Sequence, residues 1–306
     1  MSHTNQPFHG KVSEVRVIEH SRSSKSGTDL ITFQLKYPRY IHAEFMTHRV
    51  FSRNASSSRA IPAKKLIAQV REEPVFFAHV GKNIPGMQAV DEVHADTLSQ
   101  FQSEWKELAN ITADYVERWS NDYGIHKQVA NRVLEAFTSI SVVVTSSQWD
   151  NFFELRDHAD AQPEIKDLAG TMRAALAASV PRILDPKVLT DPRAWHLPYV
   201  TMQERQAHPI TELLAMSAAR CARVSYLTHD GMNPLLAKDI ELYRRLVESK
   251  PLHASPLEHQ AIATSFDYPS KNLTGGWMQH RTLLETAGSI DQMHERMGFA
   301  PAPVTQ

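Results

Sequence analysis

The chain has 306 residues, 42% of them hydrophobic and 22% charged, which excludes wholesale disorder and suffices for one large domain or two modest ones. Its single cysteine, Cys221, excludes an intramolecular disulfide and any CxxC redox or zinc site, and points to a reducing, cytoplasmic setting. With 33 Lys and Arg against 34 Asp and Glu the chain is near neutral, so no affinity for long nucleic acid is expected, and neither a signal peptide nor a membrane span is expected. The neutral total hides one basic stretch. From Lys36 to Arg71 run Lys36, Arg39, Arg49, Arg53, Arg59, Lys64, Lys65 and Arg71 against one acid, Glu44, a pattern suited to a bounded anionic ligand.

In chain order, the alternation in 12–19 predicts a half-buried strand, 23–29 a turn, and 30–37 a second strand pairing back on the first. A short helix is expected over 41–50 and a Ser-rich loop over 52–60. Leu98, Phe101, Trp105, Leu108, Ile111, Tyr115 and Trp119 recur at three- and four-residue steps, the apolar stripe of a long amphipathic helix. Helices are expected over about 126–140, 146–156 and 162–179, the last with Pro163 in its first turn. The stretch 181–201, with four prolines, reads as a surface connection. Helices follow over about 209–223 and 233–248, Asn233 and Pro234 serving as N-cap and first helical residue. A strand is expected over 260–266 and a loose tail over 298–306. The segments 33–49 and 262–281 share a weak pattern of strand, proline turn, helix start and His-Arg.

Three polar clusters stand out. His48, Arg49, Ser52, Asn54, Ser57 and Arg59 gather two guanidinium forks, hydroxyls and an amide in twelve residues, suited to phosphate, with a solvated Ser-rich loop as the alternative. Arg156, Asp157, His158, Asp160, Gln162 and Glu164 fall at a junction between helices. Their spacing matches no standard metal site, so no metal is expected and a polar turn is the simpler reading. Arg220 and Arg223 lie on one helical face, and His259 closes the segment SPLEH. Cys221 lacks a histidine partner in any recognised motif and reads as a packing residue. GxGxxG, GxxxxGKS and GxSxG are absent, so Rossmann, P-loop and α/β-hydrolase readings have no support.

Residues 47–59 resemble the RHRxxSxNxxSxR signature of flavin-dependent thymidylate synthases through His48, Arg49, Ser52, Asn54, Ser57 and Arg59. Phe152, Leu155, Arg156, Ala161, Gln162, Glu164 and Ile165 are similar to that family's FLxLR…AQxEI segment. Ala222, Arg223, Val224 and Ser225 resemble its SARVS helix, and Ser255, Pro256, Glu258 and His259 its TPxEH turn. In the family these last two motifs come first, so the chain looks like a circularly permuted or rearranged member. It departs from the pattern at Thr47, Glu44 and Ala55, at Asn131, at Thr145 and Ser147, and at Asp160. The lost arginines weaken phosphate and flavin contacts most, and Arg53, Arg132 or Arg281 are the candidates to compensate.

The resemblance implies one α/β (α+β) domain over 1–306, with possible halves 1–180 and 202–297, built from a small antiparallel sheet and long helices. It implies a cytoplasmic homotetramer, or a dimer of pseudo-equivalent halves. FAD would be reduced by NADPH, and methylenetetrahydrofolate would supply one carbon to C5 of dUMP. His48, Arg49, Asn54, Ser225 and His259 would hold the flavin; Ser57, Arg59 and Arg156 would hold the nucleotide, with Arg156 positioning the pyrimidine for catalysis. Modification of a different uracil nucleotide, and a non-catalytic nucleotide-binding paralogue, remain open alternatives.

Overall fold

The computed structural model describes residues 6–186, 189–224, 235–265 and 272–297. After a short β1 (Phe8–His9), β2 (Glu14–Ser23) and β3 (Asp29–Pro38) form the expected antiparallel pair. Helix α1 (His42–Phe45) is one turn only, and the Ser-rich segment expected as loop opens instead with a strand, β4 (Ser52–Ala55). Helices α2 (Ala63–Glu72) and α3 (Ala95–Asn121) lead to α4 (Lys127–Ala130) and a 3₁₀ stretch, Asn131–Phe137. The helix expected over 126–140 is thus broken, because its end belongs to β5 (Ser139–Ser146), whose β-branched run favours a strand. Helices α5 (Asp150–Arg156) and α6 (Pro163–Ala177) follow as expected, Gln162 capping α6 through bonds to the N–H groups of Glu164 and Ile165.

The proline-rich connection is more than a surface linker. It carries β6 (Arg182–Leu184) and β7 (Trp195–His196), and Trp195, His196 and Leu197 are fully buried. Next come α7 (Met202–Ala207), α8 (Ile210–Ala222), α9 (Leu236–Glu248), β8 (Ala261–Ala263), β9 (Trp277–Gln279), α10 (His280–Ala287) and α11 (Ile290–Arg296). Ser225, Asn233, Pro234 and the tail 298–306 lie outside the described residues.

The larger sheet runs β1-β2-β3-β5-β4, with β6 added parallel to β2; the smaller runs β7-β8-β9. Odd-numbered Ile31, Phe33, Leu35 and Tyr37 of β3 meet Ile140, Val142 and Val144 of β5, and with Phe45, Phe51, Phe152, Ile165 and Met172 they form the main core. The even face of β3 is covered too. Leu30 packs with Leu184, Ala261, Ala263 and Trp277, and Val143 with Cys221 and Val224. A sheet dry on both faces explains why β5 reads as an unbroken apolar run. A bulge between Val17 and Glu19 shifts the parity of β2. Before it, Val15 and Val17 pack with the main core; after it, Glu19 and Ser21 pair with Thr32 and Leu30 and turn to the opposite face.

Helix α3 corrects the expected stripe. Its buried line is Ala109, Ala113 and Val116, with Trp105 and Trp119 partly covered, because alanines let α2 approach closely. Leu108, Ile111 and Tyr115 are exposed instead.

Candidate active site

Strand β4 is an edge strand, and its two sides carry different machinery. Toward the smaller sheet, Ser52 Oγ accepts from Gln279 Nε2 at 3.2 Å and Asn272 Nδ2 at 3.4 Å. Asn54 Nδ2 donates to the carbonyl of Cys221 at 3.3 Å, fastening β4 to the end of α8. Beside this junction lies a cavity of about 370 Å³ lined by Arg53, Asn54, Ala222, His253, Ser255 and Pro256 among others. The His-Arg signature, the ARV helix end and the SPLEH turn, far apart in the chain, meet here.

On the main-core side sits Arg156, whose place at the end of α5 puts it beside the turn after α1. Its Nε donates to His48 Nε2 at 3.0 Å, Nη1 to Glu44 and Nη2 to Thr47 Oγ1 at 3.2 Å. The His48 ring is packed edge-on against Phe152 at 4.9 Å and stacked on Phe51. Burial and the charges of Arg156 and Arg53 push His48 down to about 4, so it is neutral, with Nε2 accepting and Nδ1 carrying the proton. Glu44 is thus the carboxylate partner of Arg156, while Asp157 is bound by Arg173.

A third feature is a row of buried polar side chains across the larger sheet. Glu19, Thr32, Thr145 and Ser52 are cross-strand neighbours on β2, β3, β5 and β4. Thr32 Oγ1 lies 2.6 Å from Thr145 Oγ1 and 2.8 Å from His196 Nε2. His196 Nδ1 is 2.9 Å from Ser21 Oγ, which donates to Glu19 at 3.5 Å. At the other end Thr145 Oγ1 is 2.8 Å from His259 Nδ1. Glu19 also accepts from Arg182 at 2.6 Å, Arg205 at 2.8 Å and the Leu197 N–H at 2.7 Å. Burial opposes ionisation of this carboxyl, but Arg205 and Arg182 outweigh it and hold it down at about 2. Burial drives both His196 and His259 to about 3, so both rings are neutral. Nothing in the expected pattern pointed to Glu19, Ser21, Thr32 or His196. The available signal was the polar residue at alternate positions of otherwise apolar strands.

The other expected residues scatter. Arg49 and Arg59 are exposed, and Ser57 is half-buried in the turn beyond β4, where Asn131 Nδ2 binds the Ser58 carbonyl at 2.8 Å. Ser225 lies outside the described residues. His158 and Asp160 approach only to 3.7 Å at the surface. Among the described residues no group of three His, Cys, Asp or Glu side chains is placed to hold a metal ion.

The profile of the thymidylate synthase complementing protein family matches residues 15–182, more than half of the 306. The chain belongs to that family. Among solved structures, a UMP/dUMP methylase from Streptomyces cacaoi bound with 5-Br UMP is similar over 54% of this chain and 88% of its own, at 19% identity and a TM-score of 0.42. A flavin-dependent thymidylate synthase from Helicobacter pylori complexed with FAD and dUMP is similar over 48% of this chain and 67% of its own, at 16% identity and a TM-score of 0.33. No curated protein matches.

Four of the departures from the thymidylate synthase complementing protein pattern have a local partner. Thr47 Oγ1 bonds the Glu44 carbonyl at 2.7 Å, Asn131 ties down the carbonyls of Ser58 and Ile61, Thr145 joins the buried row, and Ser147 Oγ accepts the Thr274 N–H at 3.0 Å. Of the three candidate compensators, Arg132 pairs with Glu135 at 2.9 Å and Arg281 with Glu258 and Glu285. Arg53 has no carboxylate within ion-pair distance among the described residues. It donates to the carbonyls of Met46 and His48 at 3.2 and 2.9 Å and lines the cavity.

Proposed function

We propose that the protein is a flavin-dependent C5 methyltransferase acting on dUMP in the cytoplasm, with methylenetetrahydrofolate as one-carbon donor and NADPH as reductant. The observation that carries this reading is the meeting of Asn54, Ala222, Ser255 and Pro256, from three separated motif segments, around one cavity. FAD fits the donor set. Asn54 flanks the cavity, His259 follows the turn whose Ser255 and Pro256 line it, and the buried Nε2 of His259 has no partner among the described residues. His48, Arg49 and Ser225 would complete the flavin contacts. When bound, the flavin supplies the redox chemistry. The chain's own groups bind and orient. Among the described residues each terminal nitrogen of Arg156 gives one N–H to the protein, which leaves one on each for an oxygen of the nucleotide, with Glu44 fixing the guanidinium's position. Ser57 and Arg59 would take the rest of the nucleotide.

A cavity of about 370 Å³ is at the small end for ligand sites, so part of a dinucleotide must rest on another surface. A homotetramer, or a dimer, would provide one. Leu108, Ile111 and Tyr115 give α3 an exposed apolar face of the kind such assemblies cover. The losses at Thr47, Asn131 and Ser147 favour, as a second reading, a different uracil nucleotide as substrate.

The test is direct. FAD at 100 times its Kd is expected to add about 2.7 kcal/mol of stability, and the holoprotein to methylate dUMP when given NADPH and the folate. No thermal shift at saturating FAD would overturn the flavin reading; turnover of another uracil nucleotide in place of dUMP would establish the second.

A further inference from the structure

The buried row carries a direction as well as a position. Glu19 is ionised and has no proton to give, so the Ser21 hydroxyl donates to it. Ser21 Oγ must then accept from His196, which places that ring's proton on Nδ1. His196 Nε2 is left as an acceptor and takes the Thr32 hydroxyl proton. Thr32 Oγ1 then accepts from Thr145, and Thr145 Oγ1 accepts from His259. With the one proton of Ser21 given to Glu19, and one proton on each hydroxyl and each neutral ring, the remaining links each find a donor and an acceptor only in this sense. Ser21, Thr32, Thr145, His196 and His259 are each fully buried, so water does not scramble the order.

We propose that Glu19 sets the tautomer of His259 through Ser21, His196, Thr32 and Thr145, so that His259 holds its proton on Nδ1 and turns the lone pair of Nε2 toward a ligand group that donates a hydrogen bond. Nε2 is buried and has no hydrogen-bond partner among the described residues, so the group it selects is a donor, such as the N–H of an imide ring, and a ring carbonyl is rejected. Only this ligand clause rests on the proposed flavin and uracil chemistry; the tautomer is a property of the ligand-free chain. Glu19 is then a positioning residue, acting from the far side of the sheet.

The experiment is ¹⁵N NMR of the full-length protein labelled at histidine, ligand-free and at neutral pH, with His259 assigned by its loss in His259→Gln. The expected wild-type species is Nδ1–H. Thr32→Val cuts the row at near-constant volume; Thr145 then donates to His259 Nδ1, and the major species reverses to Nε2–H. Ser21→Ala severs the row from Glu19 and is expected to raise the Nε2–H share of His259; an unchanged share overturns the role of Glu19. An Nε2–H wild type, or a folded Thr32→Val with His259 unchanged, overturns the relay. Saturating FAD is expected to shift the Nε2 resonance alone. FAD that binds without shifting it overturns the ligand clause, whereas absence of FAD binding overturns the flavin reading and leaves the tautomer result standing.

Discussion

Arg156 shows how much one side chain is asked to do. Its guanidinium joins α5 to the turn after α1, orients His48 and neutralises Glu44 while staying 20% exposed. Taken from sequence alone, it is a nucleotide contact separable from the flavin contacts. The bond to His48 removes that separation. Arg156→Ala is expected to lower dUMP affinity about 10- to 150-fold, the worth of one charge-assisted contact, and also to weaken FAD, because His48 loses its fixed orientation. Titration calorimetry with each ligand checks both effects. Unchanged dUMP binding in a folded variant would place the nucleotide elsewhere.

At the scale of elements, α5 and β5 hold the site from behind. Phe152 is 1% exposed and its ring meets Phe45, Phe51, Trp149, Phe153 and His48. Phe152→Ala is expected to destabilise the fold by about 3–5 kcal/mol and to loosen His48, measured by denaturant unfolding and by the His48 ring resonances. The long helices α3 and α6 were legible in the sequence from helical periodicity, although in α3 the large apolar residues marked the helix and not its buried line. β4 was not. Its four residues, Ser-Arg-Asn-Ala, carry no strand propensity; they pair with β5 while Ser52 and Asn54 find polar partners on β9 and at the end of α8. The Trp195–Leu197 segment was missed for the opposite reason. Prolines around it signal a loop, yet tertiary packing buries it. The His-Arg, FELR and SPLEH segments were legible, but the links that place them, Arg156 to His48 and Thr145 to His259, depend on contacts 108 and 114 residues apart.

For the whole molecule, the buried histidines set an acid limit. His196, His259 and His280 each fall to about 3, chiefly through burial, against an ordinary 6.5. As pH drops below 6.5 the unfolded chain takes up protons at these rings and the folded chain does not. Stability is therefore whole above that pH and declines toward pH 3, by up to about 1.4 kcal/mol per histidine per pH unit. Glu19, with its ordinary 4.5 lowered to about 2, adds a loss in the same direction at lower pH. Thermal melts from pH 7.5 downward are expected to show a falling Tm below about pH 6.5. A Tm that stays flat to pH 5 would mean that these rings are charged or wetted in the native protein.

The sheet with two dry faces makes the chain hard to divide. The family match ends at Arg182, the first residue of β6, so a natural-looking scissors point lies there. A fragment of residues 1–186 would keep its helices but leave Leu30, Val143, Thr32 and Thr145 facing water, half greasy and half polar, with no second layer to receive them. Such a fragment is expected to be insoluble or to self-associate, while the full chain melts in a single calorimetric transition. The portion that the family profile matches is the one that needs the rest of the chain in order to stay dissolved.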